Sequence, residues 1–395
     1  MKNIILEAAE QLKEELLQIR RTIHENPEVG PSLPQTKEFV MKKLQEYGYQ
    51  PEEICESGIV ATLEGGKPGK TILLRADMDA LSIQEKAPVS FASENGKMHA
   101  CGHDMHATML LGAAKLLMEH REEIEGKVKL VFQPDEEGFT GAKAMLNAGV
   151  LENPSVDAGL ALHVNSGTPS GMVLCGMGTC MAGCTLFRIQ VKGTGCHGAM
   201  PETGVDPINI ATHIYLSLQE IIAREVAPTK PAVVTIGKFV GGKAPNIIPG
   251  EVVMEGTIRT LDRELSEQIF QRIEDISTQT AALFRGEAEV TEIASAPPLI
   301  NDKEMVKEMA GYVGELVDPS KVIVFEQGGM GSEDFASYTY EIPCSYLLVG
   351  AGIPQENELF GKPMHNECVV FNEDILPLGS AIYAYSAMKW LQTHQ

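Results

Sequence analysis

A thiol and an imidazole stand close together in the segment from His99 to Asp104. Cys101 and His103 lie in a predicted turn, and side chains two positions apart in an extended turn can face the same point. Thiolate and imidazole both bind zinc-like ions well. A lone Cys-x-His pair is weak evidence, because such a pair more often has a structural role. Metal chemistry at this segment therefore depends on further ligands elsewhere in the chain.

Two adjacent glutamates supply carboxylates with different directions. Glu136 and Glu137 follow a predicted strand end, and neighbouring residues in extended backbone point to opposite sides. One carboxylate can then bind a metal ion while the other faces a substrate as a base. A solvated acidic loop is the commoner fate of such a pair, and Asp135 beside it favours that alternative. Pro134 and Gly138 favour the site, because they bracket the pair in a turn at the carboxyl end of a strand.

Two further histidines complete the candidate set. His163 ends a short apolar run, and His365 lies in a loop after the last predicted strand. Neither is decisive alone, since a single histidine of this kind is more often structural. Taken with Cys101, His103 and the glutamate pair, they provide enough ligands for two divalent ions that share a water molecule, with one carboxylate left over. The coincidence predicts a two-metal site, in which His99 and His106 are flanking residues rather than ligands.

The elements around these residues alternate between helix and strand. Apolar spacing predicts helices over residues 4–26, 35–48, 104–120 and 377–391, and strands over 59–63, 71–74, 127–132, 158–163 and 345–349. Asp104 is predicted to cap its helix. Strands that alternate with helices indicate an α/β sheet covered on both faces. All the candidate ligands lie at strand ends or in the turns that follow them.

A different pattern occupies the middle of the chain. Strands over 185–191, 232–239, 252–260 and 288–293 and helices over 206–226 and 265–284 have the order βαββαβ, which closes into a small sandwich by itself. We therefore predict a catalytic domain made of residues 1–183 and 298–395, with an inserted domain over residues 184–297. The length of 395 residues is consistent with two domains.

Composition restricts the partners. The formal net charge is -22, and a surface this acidic repels nucleic acids and anionic membranes. The sequence contains no apolar run long enough to span a bilayer, and its first residues do not resemble a signal peptide. We expect a cytoplasmic protein that binds neither nucleic acid nor membrane. Eight scattered cysteines in such a protein are mostly buried thiols, Cys101 excepted.

Motifs along nearly the whole chain resemble a family of metal-dependent amidohydrolases. The family contains aminoacylases, hippurate hydrolases, indoleacetyl-amino acid hydrolases and N-acetyldiaminopimelate deacetylases, and is related to co-catalytic metallopeptidases. The shared motifs are Arg20-Arg21-x-x-His24-x-x-Pro27-Glu28, the segment from Leu74 to Leu81, His99 to Asp104, Gln133 to Gly138, Leu162-His163, Lys192 to Pro201, Asn246 to Pro249, Gly331 to Phe335 and Met364-His365. So many motifs in the family's order make the resemblance highly specific.

The resemblance implies a fold and a metal centre. The fold would be a mixed-sheet α/β metallopeptidase domain of the phosphorylase/hydrolase-like type, with an inserted ferredoxin-like βαββαβ lid. Cys101 would bridge two divalent ions, either Zn²⁺ or Mn²⁺. The terminal ligands would be His103, Glu137, His163 and His365. Asp77 would orient a ligand by hydrogen bonding to it.

The resemblance also implies catalytic and substrate-binding roles. Glu136 would be the general base and acid, and His197 in the lid would steady the oxyanion. Asn246 and Arg259 would hold the substrate carboxylate. The sequence by itself leaves Arg259 open, because an ion pair with Glu255 or Asp262 also explains a charged residue there.

The implied reaction is the hydrolysis of N-acyl-L-amino acids, such as N-acetyl or N-benzoyl compounds, to a carboxylate and a free amino acid. A dipeptidase or carboxypeptidase activity at the same site is the alternative. A metal-binding scaffold without catalysis is disfavoured because Glu136 is present. The resemblance leaves the acyl group open, since Cys196 replaces the usual glycine before His197 and Phe139 makes the loop after Glu137 bulkier. We expect a homodimer or higher homo-oligomer formed through the lid.

Overall fold

The computed structural model describes residues 2–395. Its α-helices are α1 Lys2–Gln11, α2 Lys13–Glu25, α3 Pro34–Glu46, α4 His103–Glu119, α5 Gly141–Asn147, α6 Pro207–Glu220, α7 Arg263–Leu283, α8 Lys303–Leu316 and α9 Leu376–Thr393. Its strands are β1 Glu52–Cys55, β2 Gly58–Glu64, β3 Lys67–Asp77, β4 Glu125–Gln133, β5 Ala158–Asn165, β6 Val173–Gly176, β7 Gly178–Met181, β8 Gly183–Lys192, β9 Cys196–His197, β10 Ala232–Gly241, β11 Ile247–Ile248, β12 Glu251–Thr260, β13 Glu287–Ala296, β14 Leu299–Asn301, β15 Val322–Phe325 and β16 Cys344–Gly350.

The chain forms two compact units. Unit 1 contains residues 1–178, 300–327 and 334–395, and unit 2 contains residues 179–299 and 328–333. The short segment Gly328–Glu333 belongs to unit 2, although it lies far beyond the inserted stretch predicted from the sequence.

Unit 1 is built on an eight-stranded mixed sheet. The strand order is β1-β2-β4-β3-β5-β16-β6-β15, in which β4, β3, β5 and β16 are parallel neighbours. Strands β3, β4 and β5 are buried over most of their length, as strands covered by helices on both faces must be. The carboxyl ends of the four parallel strands therefore meet at one edge of the sheet, where open α/β sheets hold their ligands.

Helix α4 lies against this sheet and is buried almost throughout. The predicted position of its N-cap, Asp104, was wrong by two residues. Gly102 is the N-cap residue, with a φ of 89° that favours glycine, and the helix begins at His103. Asp104 therefore lies inside the first turn, where a carboxylate still suits the positive end of the helix. Arg20 holds it there through a 2.7 Å ion pair.

The predicted helix over residues 4–26 is in fact two helices. Helix α1 ends at Gln11 and α2 begins at Lys13. The main-chain N–H of Leu12 bonds to Ala9 at 3.1 Å, three residues back, so the chain tightens there and the regular ladder is interrupted. Apolar spacing continues across the break, and the sequence pattern therefore gave no sign of it.

Unit 2 is a four-stranded antiparallel sheet with two helices. The sheet order is β10-β12-β8-β13, and the chain order is β8, α6, β10, β12, α7, β13. This is the predicted ferredoxin-like βαββαβ arrangement. Helices α6 and α7 cover one face and form a separate apolar core with it, which includes Phe187, Ile214 and Ile273. Among residues 2–395, no helix combines the length and apolarity needed to cross a membrane.

Candidate metal centre

The candidate ligands of unit 1 converge at the carboxyl edge of its sheet. Glu136 and Glu137 follow the end of β4, and His163 lies on β5 two residues before its end. Cys101 and His103 lie at the start of α4, and His365 lies in the long loop after β16. The structure thus brings together six side chains that are up to 264 residues apart in sequence.

Cys101 is central to this cluster. Its Sγ lies 3.5 Å from Nε2 of His163 and 3.3 Å from Nε2 of His365. One group of neighbouring ligand atoms comprises Cys101, His103 and His163, and a second comprises Cys101, Glu137 and His365. Because the thiol is shared by both groups, the arrangement fits two metal positions joined by one sulfur ligand.

A hydrogen bond of His163 leaves the correct ring nitrogen for metal binding, and the backbone of His365 is fixed beside the cluster. Nδ1 of His163 lies 2.6 Å from the carbonyl oxygen of Val164, which it can meet only as an N–H donor. The Nε2 lone pair is then directed towards Cys101, as in many metal-binding histidines. His365 has a positive φ of 64°, an uncommon backbone conformation for a non-glycine residue. The main-chain N–H of His365 donates to the carbonyl oxygen of Ala100, and this bond fixes the loop beside the cluster.

The glutamate pair is held in a tight turn. Asp135 and Phe139, on either side of the pair, both have positive φ, at 54° and 55°. Strained backbone of this kind is common at functional sites. The N–H groups of Glu136 and Glu137 donate to the two carboxylate oxygens of Asp79, at 3.0 Å and 3.1 Å. Glu137 Oε1 lies 3.2 Å from Nε2 of His365, whereas Glu136 Oε2 lies 3.8 Å from Nε2 of His103.

The side chain of His103 supplies the test for a metal ion. Both of its ring nitrogens are buried and neither makes a hydrogen bond. A buried imidazole without hydrogen bonds is costly, because nearby carboxylates offset the desolvation of its polar atoms only in part. Nδ1 approaches Asp79 Oδ1 only to 3.4 Å, Nε2 lies 3.8 Å from Glu136 Oε2, and ligand atoms of Glu137 and Cys101 lie near the ring. The donor set of thiol, imidazole and carboxylate satisfies a divalent ion of the zinc type, so the residues present fit the group.

Charges in the metal-free cluster are strongly coupled. Burial raises the pKa of the Cys101 thiol. Hydrogen bonds with Cys101 and Glu137 raise the pKa of His365 to about 10. Burial also opposes ionisation of Glu137, but the hydrogen bond with His365 and the charge of His103 outweigh it and lower the pKa of that carboxyl. The metal-free cluster therefore holds protons that metal binding must displace.

Asp77 lies close to the cluster but supports a different histidine most directly. Its Oδ1 bonds to Nδ1 of His106 at 2.6 Å and lies 3.9 Å from Nδ1 of His103. Nε2 of His106 accepts the N–H of Val164, so both its nitrogens are occupied and His106 is not available as a ligand. The nearer carboxylate to His103 is that of Asp79, which the sequence analysis did not single out. The spacing Asp77-x-Asp79 was the available signal, since alternate residues of an extended chain share a side.

The remaining predicted residues belong to unit 2. His197 is exposed and pairs with Ile247 between the short strands β9 and β11, next to Asn246. The N–H of Ala199 donates to Nδ1 of His197, so the neutral ring carries its proton on Nε2 and presents a donor. Arg259 bonds to the carbonyl oxygen of Met330 and to Oγ of Ser332. Neither ion pair considered for Arg259 is formed: Glu255 pairs with Arg188 and Lys238, and Asp262 pairs with Lys230.

Comparison with known proteins identifies the family. The model of "Peptidase family M20/M25/M40" matches residues 73–389, which is most of the chain. The chain belongs to this peptidase family. It is 38% identical over 384 residues to an IAA-amino acid hydrolase, ILR1-like 2, of Arabidopsis thaliana, covering 95% of this chain and 85% of the relative. It is also 38% identical over 342 residues to an N-acetyl-L-cysteine deacetylase of Bacillus subtilis, covering 86% and 81%.

A further relative is named a carboxypeptidase, and two similar proteins have solved structures. Thermostable carboxypeptidase 2 of Saccharolobus solfataricus is 35% identical over 386 residues, which cover 96% of each chain. A putative aminohydrolase from methicillin-resistant Staphylococcus aureus superposes with a TM-score of 0.89 at 32% identity, covering 99% and 100%. A Bacillus subtilis protein described as a dinuclear metal-binding peptidase of the M20 family superposes with a TM-score of 0.79 at 30% sequence identity. The match covers 97% of this chain and 99% of that protein. The present chain is accordingly a hydrolase of amide bonds that uses divalent metal.

Proposed function

We propose that the protein hydrolyses N-acyl-L-amino acids to a carboxylate and a free amino acid. The observation that carries the proposal is the position of Cys101 in both groups of ligand atoms, with the carboxylate of Glu136 next to the ligand His103. Cys101, His103, Glu137, His163 and His365 would hold two divalent ions. Ions bound there would lower the pKa of water and polarise the scissile carbonyl, which makes an inert amide reactive.

The proton transfers fall to Glu136. This side chain is buried and lies next to the ligand cluster without belonging to either thiol-centred group. Its Oε2, which lies on the side of His103, would take a proton from the attacking water and later deliver it to the leaving nitrogen. An amine is a poor leaving group unless it is protonated, so one carboxylate serves both halves of the reaction.

Substrate recognition is proposed for unit 2. Nε2–H of His197 would donate a hydrogen bond to the oxyanion, since Nδ1 is already occupied by the N–H of Ala199. Arg259 would pair with the substrate carboxylate, with Asn246 as a second donor. The guanidinium is half-buried and bonds to two neutral oxygen atoms, of Met330 and Ser332, and has no carboxylate partner.

The identity of the ions follows from ligand softness only in part. A thiolate favours zinc, whereas the mixture of oxygen and nitrogen ligands is also compatible with manganese. We propose two ions of either kind per chain.

We also propose a homodimer or higher homo-oligomer through unit 2, in which β10 and β13 are the edge strands of the sheet and could pair with strands of a second copy. Sedimentation that gives only the monomer mass would contradict this assembly. The cytoplasmic location stays a prediction.

The relatives support an acyl-amino acid substrate more directly than a peptide. Two of those described above are named for the hydrolysis of an acyl-amino acid, and one is named a carboxypeptidase. A matched pair of substrates separates the two activities, for example N-acetylmethionine and glycylmethionine, which differ only in the amino group on the acyl side. The proposal expects faster release of methionine from the acetyl compound. Faster release from the dipeptide would assign a dipeptidase to the same site.

A further inference from the structure

The two carboxylate oxygens of Glu136 have different surroundings. Oε1 accepts a 3.3 Å hydrogen bond from the main-chain N–H of Asp334, the first residue of a 3-10 segment. Oε2 lies 3.8 Å from Nε2 of His103. Glu136 and Asp334 are both almost fully buried. One oxygen is therefore engaged by the backbone, and the other faces the ligand cluster.

The N–H of Asp334 is held in place by the side chain of the same residue. Oδ1 accepts hydrogen bonds from Arg75 at 2.9 Å and from Nε2 of Gln133 at 2.7 Å. Oδ2 accepts the N–H of Ala142, near the start of α5, at 2.8 Å. Three donors from three different elements thus fix one buried carboxylate, and they fix the backbone attached to it.

The guanidinium of Arg75 extends this support to the other side of the cluster. Arg75 lies on β3 and is almost completely buried. It donates to Asp77 at 2.6 Å and to Oε1 of Gln133 at 3.0 Å, in addition to Asp334. Since a guanidinium is planar and rigid, it sets a fixed separation between the carboxylates that it joins.

We propose that Asp334 is a positioning residue for the catalytic base. The inference rests on the proposed function, in which Glu136 transfers protons. The N–H of Asp334 binds Oε1, so the carboxylate cannot turn about its last torsion and Oε2 stays directed at the reacting water. A glutamate side chain without this bond samples several rotamers, and small displacements of a catalytic group are costly to rate. Arg75, Gln133 and Ala142 act through Asp334 by keeping its N–H in register.

Nuclear magnetic resonance tests the contact without reference to activity. The protein is labelled with ¹⁵N-aspartate, and the amide signal of Asp334 is assigned from its loss in Asp334→Asn. An N–H bonded to a carboxylate resonates downfield, so Glu136→Gln should shift this signal upfield. The amide of Asp302, whose carboxylate accepts the N–H of Met305 far from Glu136 in sequence, is the internal control. An Asp334 signal that does not move in Glu136→Gln overturns the proposal, whether or not the protein hydrolyses acyl-amino acids.

Kinetics test the consequence. Asp334→Asn keeps the size of the side chain, but its NH₂ group then faces one of the groups that donate to the aspartate, which are Arg75, Gln133 and Ala142. The substitution should lower kcat by about 10-fold or more, which is the scale of one hydrogen bond to a charged group. KM should change by less than about 2-fold, because binding is not affected. When Asp334→Asn is combined with Glu136→Gln, it should lower kcat by less than about a further 2-fold, since the two residues act as one unit.

The control variant is Asp302→Asn, which weakens a helix cap in the same unit and should leave kcat unchanged. An equal loss from Asp334→Asn in both backgrounds, or a rise in KM at constant kcat, overturns the positioning role. Failure of the proposed function has a different signature: the wild-type protein then releases no amino acid, while the shift of the Asp334 amide is still observed.

Discussion

Asp79 fixes the backbone of Glu136. One carboxylate oxygen accepts the N–H of Glu136 at 3.0 Å, and the other accepts the N–H of Glu137 at 3.1 Å. The first of these oxygens also lies 3.4 Å from Nδ1 of His103. A single buried carboxylate therefore relates the proposed base to two proposed ligands, although Asp79 itself binds neither substrate nor metal in this account.

Asp79→Asn should weaken metal binding and catalysis together. Asparagine has the same shape, but only one of its two terminal groups can accept a hydrogen bond. Its NH₂ group would therefore face the backbone N–H of Glu136 or Glu137, to which a carboxylate oxygen of Asp79 is now bonded. Residues that orient ligands in this way typically change metal affinity or activity by about 10- to 100-fold. Metal titration and kcat should both fall in that range. Asp318→Asn, which alters an exposed aspartate bonded to Ser320, is the control and should change neither.

Metal binding should release protons from the protein. The pKa of His365 is raised from 6.5 to about 10 by Cys101 and Glu137, so this imidazole is protonated in the metal-free protein at neutral pH. A histidine must be neutral to bind a metal ion, so apparent metal affinity should rise with pH up to about 10. The sign for stability is the reverse. The raised pKa of His365 contributes stability to the metal-free fold that is full below pH 6.5 and is lost as pH rises through about 10.

Calorimetric titration in buffers of different ionisation enthalpy measures the protons released. The expected result is net release at pH 7, which is reduced in His365→Gln. Equal heats in all buffers would show that no proton leaves and would contradict the charge state derived for the cluster.

Two glycine substitutions should have opposite effects on stability. A Cβ on Gly141 would overlap the carbonyl oxygen of Pro134, in the backbone that leads into the glutamate pair. Gly141→Ala should therefore destabilise the protein by several kcal/mol or distort that turn, and should lower kcat. A Cβ on Gly311, within α8, meets nothing within 4 Å. Gly311→Ala should instead stabilise the protein by about 0.5–1 kcal/mol. Thermal unfolding of both variants measures the contrast, and a stabilised Gly141→Ala would show that the turn adapts.

Arg259→Met should raise KM selectively. If the guanidinium binds the substrate carboxylate, its loss should raise KM for N-acyl amino acids by about 10-fold or more. The corresponding N-acyl amino acid amides, which lack the carboxylate, should show a much smaller effect. Arg188→Met, which removes a neighbouring arginine that pairs with Glu255, is the control. An unchanged KM in Arg259→Met would restrict this residue to its bonds with Met330 and Ser332.

The sequence was sufficient to locate most elements and the cluster of candidate ligands. Strands β3, β4 and β5 are apolar runs, and residues at the carboxyl ends of such runs, or in the turns that follow, lie at one edge of a parallel sheet. Glu137 and His163 could be grouped on that basis, and Cys101 was added to them from the turn before α4. The prediction did not depend on knowing their distances, because the topology alone brings strand ends together.

The residues that support the site could not be found in this way. Asp79 acts on a backbone 57 residues away, and Asp334 on a side chain 198 residues away. In each contact one of the two groups is a main-chain N–H, which carries no signature in the sequence. The start of α4 was misplaced for a related reason: Gly102 caps the helix through its backbone conformation rather than through a side chain. Side-chain chemistry was readable from the sequence, whereas backbone hydrogen bonding required coordinates.

The most direct test compares wild-type protein with Glu136→Gln in the release of amino acid from N-acetyl and N-benzoyl amino acids. Each protein is assayed after chelation and again after addition of Zn²⁺ or Mn²⁺, with bound metal counted per chain. The account predicts metal-dependent release by the wild type and a loss of about 100- to 10,000-fold in Glu136→Gln, the range of general acid–base catalysis, at unchanged metal content. Undiminished release by Glu136→Gln, or release that survives complete removal of metal, would contradict it.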